Sequence, residues 1–219
     1  MGLPVHAQRL LAYLALASVD GHSCSRDTLA GQLWAESSTA RAFASLRTAL
    51  WRIRSVDPAL VFAGQGRLGI PESVVIDVRD ERQQATRLLS AAADLPPADL
   101  DSSTLLGELL PGWDDDWLLL ERERHRQLQL HALEALAERM RSLQRYQQAI
   151  DIALRAIELE PLRETAHAVL IDSCLDEGNV ASAVEYLRQY SSTLWDELGL
   201  LPSARLSAKV PTPQRAARL

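Results

Sequence analysis

Four arginines, Arg41, Arg47, Arg52 and Arg54, fall within fourteen residues of the segment STARAFASLRTALWRIRS (38–55), and no carboxylate interrupts residues 37–56. Read at helical spacing, Ala42, Leu46, Leu50 and Ile53 share one face, while Arg41, Ser45, Thr48 and Arg52 recur at i, i+4, i+7 and i+11 on the opposite one. A guanidinium is a planar fork of donors, always charged, that matches a guanine edge or a phosphate. A helix carrying such forks and short hydroxyls suits the major groove of DNA. A solvated surface helix is the competing reading of this segment taken alone. No other group of residues promises chemistry. His6, His22, His125, His131 and His167 are scattered without a paired nucleophile or carboxylate, so an enzyme is not expected. Cys24 and Cys174 lie far apart, with no CxxC and no histidine at metal spacing, so two reduced thiols and no metal or cofactor are expected. Asp114, Asp115 and Asp116 are consecutive, point in different directions and lack further ligands at calcium-loop spacing. They read as acids complementing a helix N-terminus.

The elements around the arginine segment support the DNA reading. Gln8 to Ala17 places Leu10, Leu11, Leu14 and Ala17 on a buried stripe, and Ser25 stands as N-cap for a second helix, RDTLAGQLW, with Leu29 and Leu33 facing inward. After the third helix, residues 60–63 and 67–70 flank Gly64-Gln65-Gly66 as a hairpin, and Val74-Val75-Ile76 adds a further strand. Three helices followed by a Gly-tipped hairpin is the layout of a winged helix-turn-helix. The third helix, 39–55, would enter the major groove, and Gln65 and Arg67 of the wing would reach the flanking backbone or minor groove.

Charge separates this module from the rest. Residues 1–80 hold 8 arginines against 7 acids, a net of +1, whereas residues 81–219 hold 15 basic side chains against 22 acids, a net of −7 within a chain of formal charge −6. Only the first module is therefore expected to touch DNA. At 219 residues and 47% hydrophobic content the chain has room for two small packed domains. The absence of a run of about 18 apolar residues, and of a leader pattern at the N-terminus, leads to the expectation of a cytoplasmic protein.

Leu88 to Asp101, rich in Ala and Asp and broken by Pro96-Pro97, reads as the end of a connector over 81–101. Beyond it the sequence repeats with a period of 34. Ala132, Ala135, Leu136 and Glu138 correspond to Ala166, Val169, Leu170 and Asp172, and Ala149-Ile150 to Ala183-Val184. This period with small residues at helix contacts is the signature of tetratricopeptide-like helix pairs. Helices are expected near 117–142, 146–159, 163–177 and 180–197. Pro161, Gly178-Asn179 and Gly199 would serve as stops, with a disordered tail over 207–219.

With these pieces in order, the chain resembles the Streptomyces antibiotic regulatory protein (SARP) type of transcriptional regulator, which joins a winged helix to a bacterial transcriptional activator domain. The resemblance covers roughly residues 3–206. It rests on AQRLLAYLAL, on LRTALWRIR and above all on LLPGWDDDWLLLERERHRQLQLHALEALAER, with support from RETAHAVLIDSCLDEGN and DELGLLPSARL. It implies Arg41, Ser45, Arg47 and Thr48 in base or groove contacts, Arg52 and Arg54 as phosphate clamps, and Arg67 in the wing. It also implies double-stranded DNA as partner, RNA polymerase contact, and self-association on direct-repeat sites. Winged helices of this family open with a short antiparallel sheet, whereas only Met1-Gly2-Leu3-Pro4 precedes the first helix here. Either the sheet is reduced to the later strands or the start lies upstream. No GxxxxGK[ST] phosphate loop occurs, so the ATPase module of larger relatives is not expected.

The expected fold is mainly α. An N-terminal winged helix-turn-helix (1–80) with a β-hairpin wing precedes an all-α tetratricopeptide-like domain (102–206). The expected function is a DNA-binding transcriptional regulator, an activator by resemblance. The alternative is a protein-interaction scaffold whose winged helix no longer binds DNA.

Overall fold

A computed structural model of the chain describes residues 2–91, 105 and 107–211. It divides into two compact units, Met1–Glu81 and Arg82–Leu219. The double proline at 96–97 lies outside the described residues, as does the tail from 212 onward.

In the first unit, α1 (Val5–Val19), α2 (Arg26–Leu33) and α3 (Thr39–Val56) surround a core of leucines and isoleucine. Leu10 and Leu14 of α1, Leu29 of α2, and Leu46 and Ile53 of α3 are completely buried. The Ser25 hydroxyl caps α2 by accepting from the Thr28 N–H at 3.0 Å. The helices are completed by a three-stranded antiparallel sheet in the order β1-β3-β2, built from β1 (Cys24–Ser25), β2 (Phe62–Gly64) and β3 (Arg67–Gly69). Gln65 and Gly66 connect β2 to β3 with φ of 51° and 78°. Two consecutive left-handed residues form the turn whose twist matches a two-residue hairpin. Gly69 has a different reason to be glycine, because an added Cβ would meet the Phe62 ring at 2.6 Å.

The sheet differs from the sequence expectation. Its third strand is not Val74-Val75-Ile76 but Cys24-Ser25, paired Cys24 to Leu68 and Ser25 to Arg67. The Val74 N–H instead closes a turn on the Pro71 carbonyl at 3.1 Å, and Val75 is 85% exposed. Ile76 is buried all the same, but none of the three residues pairs with a strand of the sheet, and β-branched residues make a strand only where the context supplies such a partner. Antiparallel pairing is nonetheless retained, with the strand before α2 supplying the outer member.

The stretch read as connector also differs. Residues 77–91 form α4 (Asp77–Ala91), and its Ala85 and Leu88 are buried in the core of the second unit together with Leu105. That core is otherwise made by α5 (Asp116–Ser142), α6 (Tyr146–Leu159), α7 (Glu164–Glu177) and α8 (Val180–Leu198), stacked in sequence order. The positions one repeat apart do the same work. Ala132 and Ala166 are fully buried, as are Ala149 and Ala183, so small side chains stand where helix axes approach. Gly178 ends α7 in the left-handed region at φ 90°, and Asp116 lies in the first turn of α5 where the macrodipole favours an acid. The tail expected from 207 onward is structured at its start. A short α9 (Ala204–Ser207) buries Leu206, Val210 is buried behind it, and Lys209 pairs with Asp172.

Candidate nucleic-acid interface

The outer face of α3 follows from its inner one. Ala42, Leu46, Ala49, Leu50 and Ile53 are buried, and at 3.6 residues per turn the line opposite them runs through Ala44, Thr48, Trp51 and Ser55, all exposed. Arg47 and Arg54 flank that line on one side. Arg41 and Arg52 flank it on the other, beside half-buried Ser45. The centre of the face is therefore rotated from the sequence expectation of Arg41, Ser45, Thr48 and Arg52. Adding Ala49 to the buried stripe turns Ser45 inward and brings Trp51 to the middle. Trp51, 58% exposed, is the residue that sequence reasoning missed. Its spacing from Ala44 (i+7) and Thr48 (i+3) carried the signal.

The electrostatics of α3 are one-sided. Among the described residues, Arg41, Arg47, Arg52 and Arg54 form no ion pair, and the first turn of the helix holds no acid. The Arg52 guanidinium lies 4.9 Å over the Trp51 ring, a cation–π contact that leaves its charge intact. Thr48 and Ser55 donate their hydroxyl protons to the Ala44 and Trp51 carbonyls at 3.0 and 2.8 Å. Both hydroxyls are left as outward acceptors only.

The wing places its two residues differently. Gln65 sits exposed at the hairpin tip. Arg67 is also exposed, but its Nε donates to the Ser23 hydroxyl at 2.7 Å and its Nη2 to the Ser23 carbonyl. This side chain fastens the chain entering β1 to the hairpin, a structural duty not foreseen from sequence. Cys24 beside it is a buried thiol whose pKa is pushed up by desolvation and pulled back by the Arg67 charge.

The helical unit offers a different surface. A groove of about 560 Å³ is lined by α5 and α7 and bordered by Arg205, Leu206 and Lys209. Its carboxylates are internally engaged. Glu134 pairs with Arg163, Glu138 with Arg141, Asp172 with Lys209, and Glu164 accepts from the Ser203 N–H at 2.9 Å. Among the described residues no group of three or more His, Cys, Asp or Glu converges as metal ligands, and no helix is long and apolar enough to cross a membrane.

A family model for the bacterial transcriptional activator domain matches residues 77–209, more than half of the chain. The chain belongs to that family. The match bears out the resemblance to SARP-type regulators read from the sequence and places the protein in a family of transcriptional activators. The family segment starts at the first residue of α4, and the later part of that helix packs into the core of the second unit through Ala85 and Leu88. Among solved structures the chain is similar to Mycobacterium tuberculosis EmbR in complex with a low affinity phosphopeptide, with a TM-score of 0.75 at 20% identity. The alignment covers 95% of this chain and 59% of that one, so both units share the fold and the chain spans about three-fifths of its solved relative. No curated protein matches the sequence.

Proposed function

We propose that this activator-family protein binds double-stranded DNA in a sequence-specific manner, with α3 in the major groove. One observation carries the reading. In a chain of net charge −6, α3 presents four arginines with no carboxylate partner on an exposed face. Phosphate contacts from Arg41, Arg47, Arg52 and Arg54 would supply affinity and register, with Ser45 and Thr48 at the groove and Gln65 at the flanking backbone. Arg67 would support the wing from Ser23 and offer its remaining donors to a phosphate. The helical unit would serve self-association or contact with RNA polymerase. Trp195, Leu198, Leu200 and Leu201 at the end of the array are exposed where a further helix would stack, which supports protein contact there. The test is an electrophoretic shift of a randomised duplex pool by the full chain across a salt series. Binding that falls steeply with salt and enriches a sequence is expected. Absence of salt-dependent duplex binding would favour the scaffold reading instead.

A further inference from the structure

We propose that Trp51 is a specificity-determining residue that reads the C5-methyl groups of thymine. The assignment rests on the DNA-binding reading above and deepens it.

The middle of the α3 face is poor in base-reading donors. Bidentate recognition of guanine needs Arg or Lys, and of adenine Asn or Gln. None of these occupies the central line of Ala44, Thr48, Trp51 and Ser55. The two hydroxyl protons on that line are engaged by the helix's own carbonyls. What remains outward is the methyls of Ala44 and Thr48, two acceptor oxygens and a large indole with its single N–H donor. The indole is exposed in spite of its size, and the Arg52 guanidinium over the ring holds it on the outer face. A lone exposed aromatic is ordinary on a protein surface. This one stands between two pairs of uncompensated arginines, which select an anionic partner and disfavour an apolar protein surface. Within the major groove the apolar feature available to an indole is the thymine methyl. The surface therefore fits a duplex whose thymines line the groove where Trp51 and Ala44 enter, while the flanking arginines hold the two phosphate backbones.

The test separates methyl contact from DNA binding as such. The full chain is used to enrich a duplex from a randomised pool, and the enriched duplex is then remade with deoxyuridine in place of thymidine. Base pairing and charge are unchanged and only the methyls are lost. The unaltered protein is expected to lose about fourfold in affinity per contacted methyl, the effect of exposing one buried carbon. Trp51→Ala is expected to lose most of the difference between the two duplexes, keeping only what the Ala44 methyl contributes, and to keep the unaltered salt slope, because the arginines remain. Trp51→Leu is expected to restore part of the thymine preference. Equal binding of the unaltered protein to both duplexes, or a thymine preference undiminished in Trp51→Ala, would overturn the assignment while leaving DNA binding intact. Failure to enrich any duplex would overturn the DNA reading and this proposal with it.

Discussion

Along α3, Arg41, Arg47, Arg52 and Arg54 stand exposed without a carboxylate partner, whereas in the helical unit Arg126, Arg141, Arg163 and Arg188 each meet one or two acids. The same side chain serves opposite ends. Arg126 reaches Glu160 at the end of α6, Arg141 reaches Asp176 of α7 at 2.5 Å, and Arg163 at the start of α7 reaches Glu134 of α5 at 2.6 Å. The first pair ties α5 to α6, the other two join one helix pair to the next, and all three cancel their own fields. Their hydrogen bonds to carboxylates raise the pKa of Arg126, Arg141 and Arg163 above the ordinary value. The arginines of α3 leave their field uncancelled and directed outward. An acidic total thus conceals a locally basic surface, because the four arginines of α3 are unpaired while those that tie the helices of the second unit together are neutralised.

The largest effect expected from breaking this contrast is on the helical unit's own boundary. A fragment of residues 102–206 lacks Leu88 and Ala85, the 3.0 Å Arg82–Glu121 pair, Val210 and the Lys209–Asp172 pair. Loss of one buried leucine alone costs about 2–5 kcal/mol. Denaturant unfolding is expected to show the 82–211 fragment more stable than 102–206 by about 4 kcal/mol or more. Equal stabilities would mean that α4 lies on the unit without supporting it.

Next in size is the Arg163 site. Its guanidinium donates to both Glu134 oxygens, at 2.6 and 3.1 Å, and to Gln127 at 3.1 Å. Arg163→Ala leaves Glu134 half-buried with only the Thr165 hydroxyl as donor. A loss of about 2 kcal/mol is expected, between the values for exposed and buried pairs. Duplex affinity should not change. A stability within experimental error of the parent would show the pair to be dispensable.

The α3 arginines should behave in the reverse way. Arg52→Ala with Arg54→Ala is expected to weaken duplex binding about tenfold and to lower the log–log salt slope by roughly two units, one for each phosphate contact. Folding stability should shift by only about 0.5 kcal/mol, since neither residue is ion-paired. Arg188→Ala is the matched control, removing an exposed arginine whose partner is Glu185 on the same helix. An unchanged salt slope in the double variant would mean that α3 faces the duplex differently.

Where the fold was legible in sequence, a strong period or a forced backbone made it so. The four repeat helices, α5 to α8, begin and end within about two residues of expectation, because the 34-residue repeat fixes their phase and Gly178 and Gly199 stop the last two. The hairpin was legible from Gln65-Gly66. β1 was not, because a two-residue strand exists only through its pairing with residues more than forty positions away. α4 was hidden by its polarity. Val78, Ala85 and Leu88 are its buried side chains, too sparse to distinguish a helix from a polar connector. Trp51 was passed over for a different reason. A search for donors along α3 weighs guanidinium and hydroxyl groups and gives no weight to an aromatic among them.

The smallest effect expected concerns pH and belongs to the helical unit. His167 on α7 is 8% exposed, with its ring stacked on Tyr190 at a centroid distance of 4.1 Å. Its Nε2 lies 2.9 Å from the Pro161 carbonyl, which can only accept, so the neutral ring carries its proton there. Nδ1 is buried without a hydrogen-bond partner. Protonation would add a buried charge and a donor with no acceptor, and desolvation accordingly lowers the His167 pKa from its ordinary value. In the unfolded chain the imidazole titrates near its ordinary value of about 6.5. Below that pH the unfolded state takes up a proton that the folded site resists, so stability present above about pH 6.5 declines as the solution is acidified. Unfolding free energies between pH 7.5 and 5.5 are expected to fall by at most about 1.4 kcal/mol per pH unit from this group. His167→Gln, whatever its effect on stability at neutral pH, should flatten that dependence. A slope that survives the substitution would place the acid sensitivity in the carboxylates of the ion pairs joining the repeats, and His167 would then be a packing residue alone.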